Sequence, residues 1–242
     1  MRTSSALAAL LAVCAISGIA SPGEKSPVDG AKQLIVVISP GWDSPTATMQ
    51  RYERTNGGWH EAGPGVEVII GRTGLAWGRG VNRETGSGPV KREGDGKSPA
   101  GVLRLGTAFG FGSTPDSLKL PYLQLDETTE CVDDTASAFY NRVVDRTSVA
   151  RADWTSSEKM RSIDVYRRGV VVLHNDPPRK GGGSCIFLHL VNPQGKPTTG
   201  CTSMPAGAIE ALLRWVDPRA KPLLVQLPRA EYDRLRGVWQ LP

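Results

Sequence analysis

Two residues in this chain are placed to do nucleophilic chemistry. Cys201 closes the polar turn Pro197-Thr-Thr-Gly-Cys201, and His189 ends the apolar run Cys185-Ile-Phe-Leu-His189. Pro193, Gly195, Pro197 and Gly200 interrupt any regular element between them. The reading is a strand, a turn, and then a cysteine at the mouth of the next element. That order lets a thiol and an imidazole from different elements meet. A free cysteine has a pKa of about 8.5, and its thiolate is the nucleophile. A neighbouring imidazole can take the proton and hold a thiolate–imidazolium pair. Gly200 leaves room for a substrate carbonyl beside the backbone, where adjacent N–H groups can stabilise an oxyanion. The chemistry implied is cysteine acyl transfer, with Cys201, His189 and Gly200 as the catalytic candidates.

The elements that must hold these residues are mostly strands. Gln33–Ser39 is a β-branched apolar run, hence a buried strand. Thr46–Glu53 leads to Asn56-Gly57-Gly58, a hairpin signal, with Trp59 opening the next strand. Val66–Ile70 is another strand. Gly71–Pro99 is long, polar and glycine-rich, and reads as a loop lining a groove. It lacks the spacing of a phosphate-cradling P-loop. Strands follow at Gly101–Leu105, Pro121–Leu125, Tyr166–His174 and Ser184–Leu190. Thr155-Ser-Ser-Glu158 has the capping-box pattern and predicts a short helix through Met160. Pro205 suits a helix start, and Ile209, Leu212, Leu213 and Val216 form one apolar face after it. Leu223–Leu227 is a last strand, with a short terminal helix at Arg229–Arg236. The order is that of a β-rich α+β fold.

Arg2, the apolar stretch Ala6–Ile19 and the small residues before Ser21 make residues 1–20 a secretory signal peptide. An alternative is a lipoprotein acylated at Cys14, against which Val13 stands. Residues 21–32 read as a linker and 33–242 as one catalytic domain. The net charge of +5 is a mild bias, without the Lys/Arg runs that would indicate nucleic acid. After cleavage three cysteines remain. In an oxidising compartment an odd count implies one disulfide and one free thiol. Cys201 is read as free and Cys131–Cys185 as the pair, with a Cys185–Cys201 bridge as the structural alternative. A zinc site on His174, His189 and Cys201 is also open, although no familiar ligand spacing supports it. Asp133-Asp134 is either a cation or amine site or a solvated turn. Arg72 and Arg79 have the fork that suits carboxylates, or are solvated loop charges.

Three segments together resemble the L,D-transpeptidase catalytic domain, the YkuD-like family of bacterial cell-wall enzymes. They are Gly94-Asp-Gly-Lys-Ser-Pro-Ala-Gly101, Ile186-Phe-Leu-His189 and Pro197-Thr-Thr-Gly-Cys201. The resemblance spans roughly 33–227. It implies a YkuD-like β-sandwich domain with a few short helices, exported to the periplasm or cell envelope. It implies Cys201 as nucleophile, His189 as base, the Leu190 carbonyl as the imidazole's orienter, and the amides around Gly200 and Cys201 as oxyanion hole. Peptidoglycan stem peptides would be the substrate, with no metal or organic cofactor; no stable protein partner is expected, and a monomer is the default. The thiolate would attack the carbonyl of the third stem residue, and an amine would resolve the thioester. A hydrolytic L,D-carboxypeptidase and a silent cell-wall-binding module are the alternatives. His174, Asn175, Thr199 and Arg72 are the candidate substrate contacts. Thr199 stands where the family commonly has histidine, Thr202-Ser203-Met204 where it has asparagine or arginine, and the base-to-cysteine spacing is short. These departures mark a divergent subgroup and leave His174 as a rival or assisting histidine.

Overall fold

The computed structural model describes residues 25–82 and 86–242. The expected signal peptide and Cys14 lie outside them. The first strands are β1 (Gln33–Ser39), β2 (Thr46–Thr55), β3 (Gly58–Glu61), β4 (Val66–Ile69) and β5 (Leu75–Trp77). Then come β6 (Ser98–Gly110), β7 (Tyr122–Gln124), β8 (Thr129–Val132), β9 (Arg142–Asp145) and β10 (Ser157–Lys159). The C-terminal part holds β11 (Arg168–Leu173), β12 (Phe187–Leu190), β13 (Thr202–Met204), α1 (Ala206–Trp215), β14 (Leu223–Pro228) and α2 (Arg229–Trp239).

Eight of these strands close a barrel, in the order β1-β14-β6-β11-β12-β13-β4-β2, with β2 pairing back onto β1. The expected β-sandwich is therefore wrong. The expected set of helices shrinks as well. Among the described residues there are two α-helices, α1 and α2, besides three short 3-10 stretches. The composition of β1 is what permits closure. Its run of Leu34, Ile35, Val36 and Val37 is buried without alternation, as a strand covered on both faces requires. It pairs parallel to β14 on one edge and antiparallel to β2 on the other. A sheet that returns to its first strand leaves no edge to protect.

The main core takes Leu34, Leu103, Leu188 and Val225 from the barrel strands. Ile209, Leu212, Leu213 and Val216 join it, as the helical spacing predicts. Helix α1 lies against β11 and β12, and α2 against β14 and β1. The described end of the expected linker also packs inward, with Val28 and Ala31 buried and Ser26 Oγ donating to the Trp239 carbonyl.

A second apolar cluster covers the other face of the same wall. Strand alternation sends Leu188 into the main core and Phe187 to this face. Phe109 and Tyr166 pack on Phe187 edge to face, at centroid distances of 5.2 Å each. Over this cluster sits a small sheet in the order β10-β8-β9. The Cys131–Cys185 disulfide ties β8 to the approach of β12, and Cys201 is the free thiol among the described residues. The alternative Cys185–Cys201 bridge is thereby excluded.

The capping-box helix does not form. Asp134 Oδ2 accepts from both the Thr155 N–H and the Thr155 hydroxyl at 2.8 Å. Ser157–Lys159 then pairs with β8 as β10. Residues read as the start of a strand at Tyr166 belong instead to a 3-10 stretch, Asp164–Arg167.

Candidate active site

Cys201 sits one residue before β13, and its position follows from the parallel register of β12 and β13. Leu188 faces Thr202, so Phe187 faces Cys201. The sulfur takes the place of a ladder acceptor and receives the Phe187 N–H at 3.3 Å. The protonated thiol donates in turn to the Cys185 carbonyl at 3.4 Å. The turn before it is held from two sides. The Cys201 carbonyl accepts from the Ser98 hydroxyl at 2.9 Å and from the Thr198 hydroxyl at 2.6 Å. Ser98 Oγ also accepts the Gly71 N–H at 2.9 Å. The Gly94–Gly101 segment is thus bonded directly to the cysteine turn. At Gly200, φ is +154°, and a Cβ would lie 3.1 Å from Ile186 Cδ1 and 3.2 Å from the Lys97 carbonyl oxygen. The positive φ and this close approach both favour glycine here. Its N–H donates to Thr198 Oγ1 at 3.2 Å.

His189 lies on β12 on the same face as Phe187, two residues on. Its Nδ1 is 2.7 Å from the Leu190 carbonyl oxygen. A carbonyl only accepts, so Nδ1 carries the hydrogen and Nε2 keeps the lone pair. The imidazole packs on Tyr166 at a centroid distance of 5.3 Å. Burial lowers its pKa to about 4, against the favourable pull of the Leu190 carbonyl. The thiol is pushed the other way, up to about 12, first by burial and then by the charge of Glu158. The Phe187 N–H, Tyr166 and Lys91 oppose that rise. Both partners therefore rest neutral. A resting thiolate–imidazolium pair, the expectation from sequence, is not the state this environment favours.

A cavity of about 170 Å³ opens onto Cys201. Gly200, Thr199 and Arg72 line it together with the cysteine, so these four expected site residues come together. Arg72 lies over Gly96, where a Cβ would come within 2.9 Å of its Cζ. His189, the expected base, does not line the cavity, and neither do His174 and Asn175, contrary to their expected role as substrate contacts. Asn175 is fully buried and bonds Arg79 Nη1, the Arg179 backbone and the Gly183 carbonyl. It anchors the loop behind the cavity. His174 Nε2 pairs with the Gly182 carbonyl at 2.9 Å, while burial lowers its pKa to about 4. Nor do His174, His189 and Cys201 form a zinc site. Among the described residues no three His, Cys, Asp or Glu side chains gather closely enough to hold a metal ion.

The rest of the lining comes from residues whose roles local pattern does not reveal. Lys91 is buried and pairs with Asp95 at 2.6 Å. Glu93 accepts from the Ser184 hydroxyl at 2.7 Å and from the Tyr140 hydroxyl. Asp133 and Glu158 complete the acidic side. The Asp133-Asp134 pair thus divides, with Asp133 on the cavity and Asp134 capping the Thr155 turn. Asn141 joins the walls, donating to the His174 carbonyl at 2.9 Å and accepting the Cys185 N–H at 3.0 Å.

No family model matches the chain, and no curated protein matches it. Among solved structures it is similar to Bdellovibrio bacteriovorus Bd1075, at 13% identity and a TM-score of 0.42. That match covers 89% of this chain and 57% of the other. A likeness this distant assigns neither fold nor function.

Proposed function

We propose that the protein is a peptidoglycan L,D-transpeptidase-like cysteine acyltransferase that acts on stem peptides through a thioester at Cys201. The observation that carries this reading is the free Cys201 thiol at the cavity, with a backbone N–H aimed at its sulfur. The imidazole on the adjacent strand, held in one tautomer by the Leu190 carbonyl, supports His189 as the base. In this reading the His189 Nε2 takes the thiol proton as the sulfur attacks the carbonyl of the third stem residue. The tetrahedral intermediate collapses, the C–N bond to the terminal D-alanine breaks, and the imidazolium returns the proton to the leaving amine. The second reactant attacks the thioester and restores the thiol. Glu93 and Asp133 on the cavity favour an amine as that reactant, because carboxylates attract an ammonium group.

Because the thiol rests neutral, its charge develops only as the substrate is attacked. The Phe187 N–H supports the sulfur while its proton leaves, before the charge passes to the carbonyl oxygen. The test is intact mass after incubation with a carbapenem, with Cys201→Ala in parallel. A covalent adduct on the wild type alone is expected. A wild type that stays unmodified with its thiol free would turn the reading toward a silent binding module. With a stem tetrapeptide, a cross-linked dimer or exchanged D-amino acid is the expected product. A tripeptide alone would make the enzyme a carboxypeptidase.

A further inference from the structure

Tyr166 stands between two groups that the reaction as described does not connect. Its hydroxyl donates to Glu158 Oε2 at 2.7 Å, and it shares one buried cluster with Cys201, where the two groups shift each other's pKa. The ring cannot turn away. It is 5% exposed and packs edge-on against Phe109, Phe187 and His189 at 5.8, 5.2 and 5.3 Å. A phenol carries a single hydrogen, so the hydroxyl serves either the carboxyl or the sulfur as donor. Glu158 lines the same cavity as Cys201.

We propose that Glu158 and Tyr166 form a protonation switch on the Cys201 nucleophile. With the Glu158 carboxyl protonated, it donates to the Tyr166 oxygen, and the Tyr166 hydrogen turns to the sulfur and supports the thiolate. With the carboxyl ionised, that hydrogen is held by Glu158, and the sulfur loses a donor and faces a like charge. No covalent bond other than O–H changes: one proton enters or leaves the carboxyl from solvent through the cavity. Both residues are positioning residues, acting through the thiol.

The surroundings put the switch near neutral pH. The carboxyl is pushed up to about 7 mainly by burial, with Asp133 and Glu93 adding to the rise and Tyr166 opposing it. Those groups face it from the segment after β8, the loop before β6 and the Asp164–Arg167 stretch. The cations on the cavity are Lys91 and Arg72, and Lys91 is already held by Asp95. The same coupling is visible from the thiol, whose pKa Glu158 raises and Tyr166 lowers.

This inference rests on Cys201 as the nucleophile but is tested without any substrate. The full chain is alkylated with iodoacetamide from pH 5 to 10, and the Cys201 peptide is read by mass. An isolated thiol below its pKa reacts about tenfold faster per pH unit. The wild-type profile is expected to flatten around pH 7, where Glu158 ionises. Glu158→Gln should rise without a break, match the wild type below about pH 6 and exceed it about tenfold at pH 9. In a Tyr166→Phe background the Glu158→Gln gain should shrink at least about threefold. Parallel profiles for wild type and Glu158→Gln would overturn the switch. So would an undiminished gain without the Tyr166 hydroxyl, which would leave charge alone at work. If Tyr166→Phe fails to fold, the two profiles with Tyr166 present still decide whether Glu158 controls the thiol. A broken profile with no acylation by carbapenem or stem peptide would remove the transferase reading and keep the switch. Acylation with a straight profile would do the reverse.

Discussion

Ser98 is the residue on which the cysteine turn depends most. Its hydroxyl accepts from the Gly71 N–H and donates to the Cys201 carbonyl, both at 2.9 Å, and it is fully buried. Ser98→Ala should lower stability by about 1–3 kcal/mol, because two buried polar groups lose a partner. It should also slow carbapenem acylation, because the cysteine turn is no longer fixed from that side. Urea unfolding and the acylation rate check the two effects. A loss under about 0.5 kcal/mol would show that the hydroxyl is dispensable. At this scale the sequence was partly legible. Cys201, Gly200, Thr199 and Arg72 line one cavity, and the His189 Nδ1 lies against the Leu190 carbonyl. The roles of Glu158 and Tyr166 were not legible. Glu158 completed a capping box and Tyr166 opened a strand, and either pattern is satisfied locally. Only the pairing of β10 with β8 turns Glu158 toward the thiol, and nothing within a few residues of it signals that contact.

Among the elements, the runs with one dominant pattern were the readable ones. β1 occupies the predicted Gln33–Ser39, and the Pro205 start with Ile209, Leu212 and Leu213 gives α1. Short segments flanked by competing side-chain bonds were not. Asp134 captures Thr155, and the helix expected there is replaced by β10. The small sheet that carries β10 contains one fully buried strand, β8, and three short strands seldom stand alone. The Cys131–Cys185 link, spanning 54 residues, is then the main constraint on this cover. Closing a loop of that length is worth about 4 kcal/mol through the unfolded chain. Reduction, or the paired change Cys131→Ser and Cys185→Ser, should lower stability by about 2–4 kcal/mol. It should also speed alkylation of Cys201, because the Cys185 carbonyl accepts from the thiol and the cover shields it. Unchanged alkylation in the reduced protein would mean that the cover holds without the bridge.

For the molecule as a whole, closure of the barrel joins β1 to β14 across nearly the full chain. Periodicity can identify both strands but not their pairing, which is why a β-rich reading was attainable from the residues while the sandwich implied by the resemblance had no strand pairing behind it. Of the groups displaced from their ordinary ranges by burial against the barrel wall, three titrate between about pH 4 and 7, and their effects on stability oppose one another. His174 and His189 are lowered from 6.5 to about 4. Between those values the unfolded chain binds their protons and the folded chain does not, so each makes stability fall as pH falls through this window. Glu158 is raised from 4.5 to about 7. Between those values the folded chain keeps a proton that the unfolded chain releases, so this group makes stability fall as pH rises. Two histidines outweigh one carboxyl, and net stability should climb from pH 4 to pH 6.5 with roughly the slope of one proton. Glu158→Gln removes the opposing contribution. Its slope should approach two protons, and above pH 7 it should be more stable than the wild type by up to about 3 kcal/mol. Urea midpoints from pH 4 to 8 for the two proteins measure both quantities. Equal stability at pH 8 would mean that the Glu158 carboxyl ionises in the folded protein without cost, and the protonation switch on Cys201 would lose the burial that sets its range.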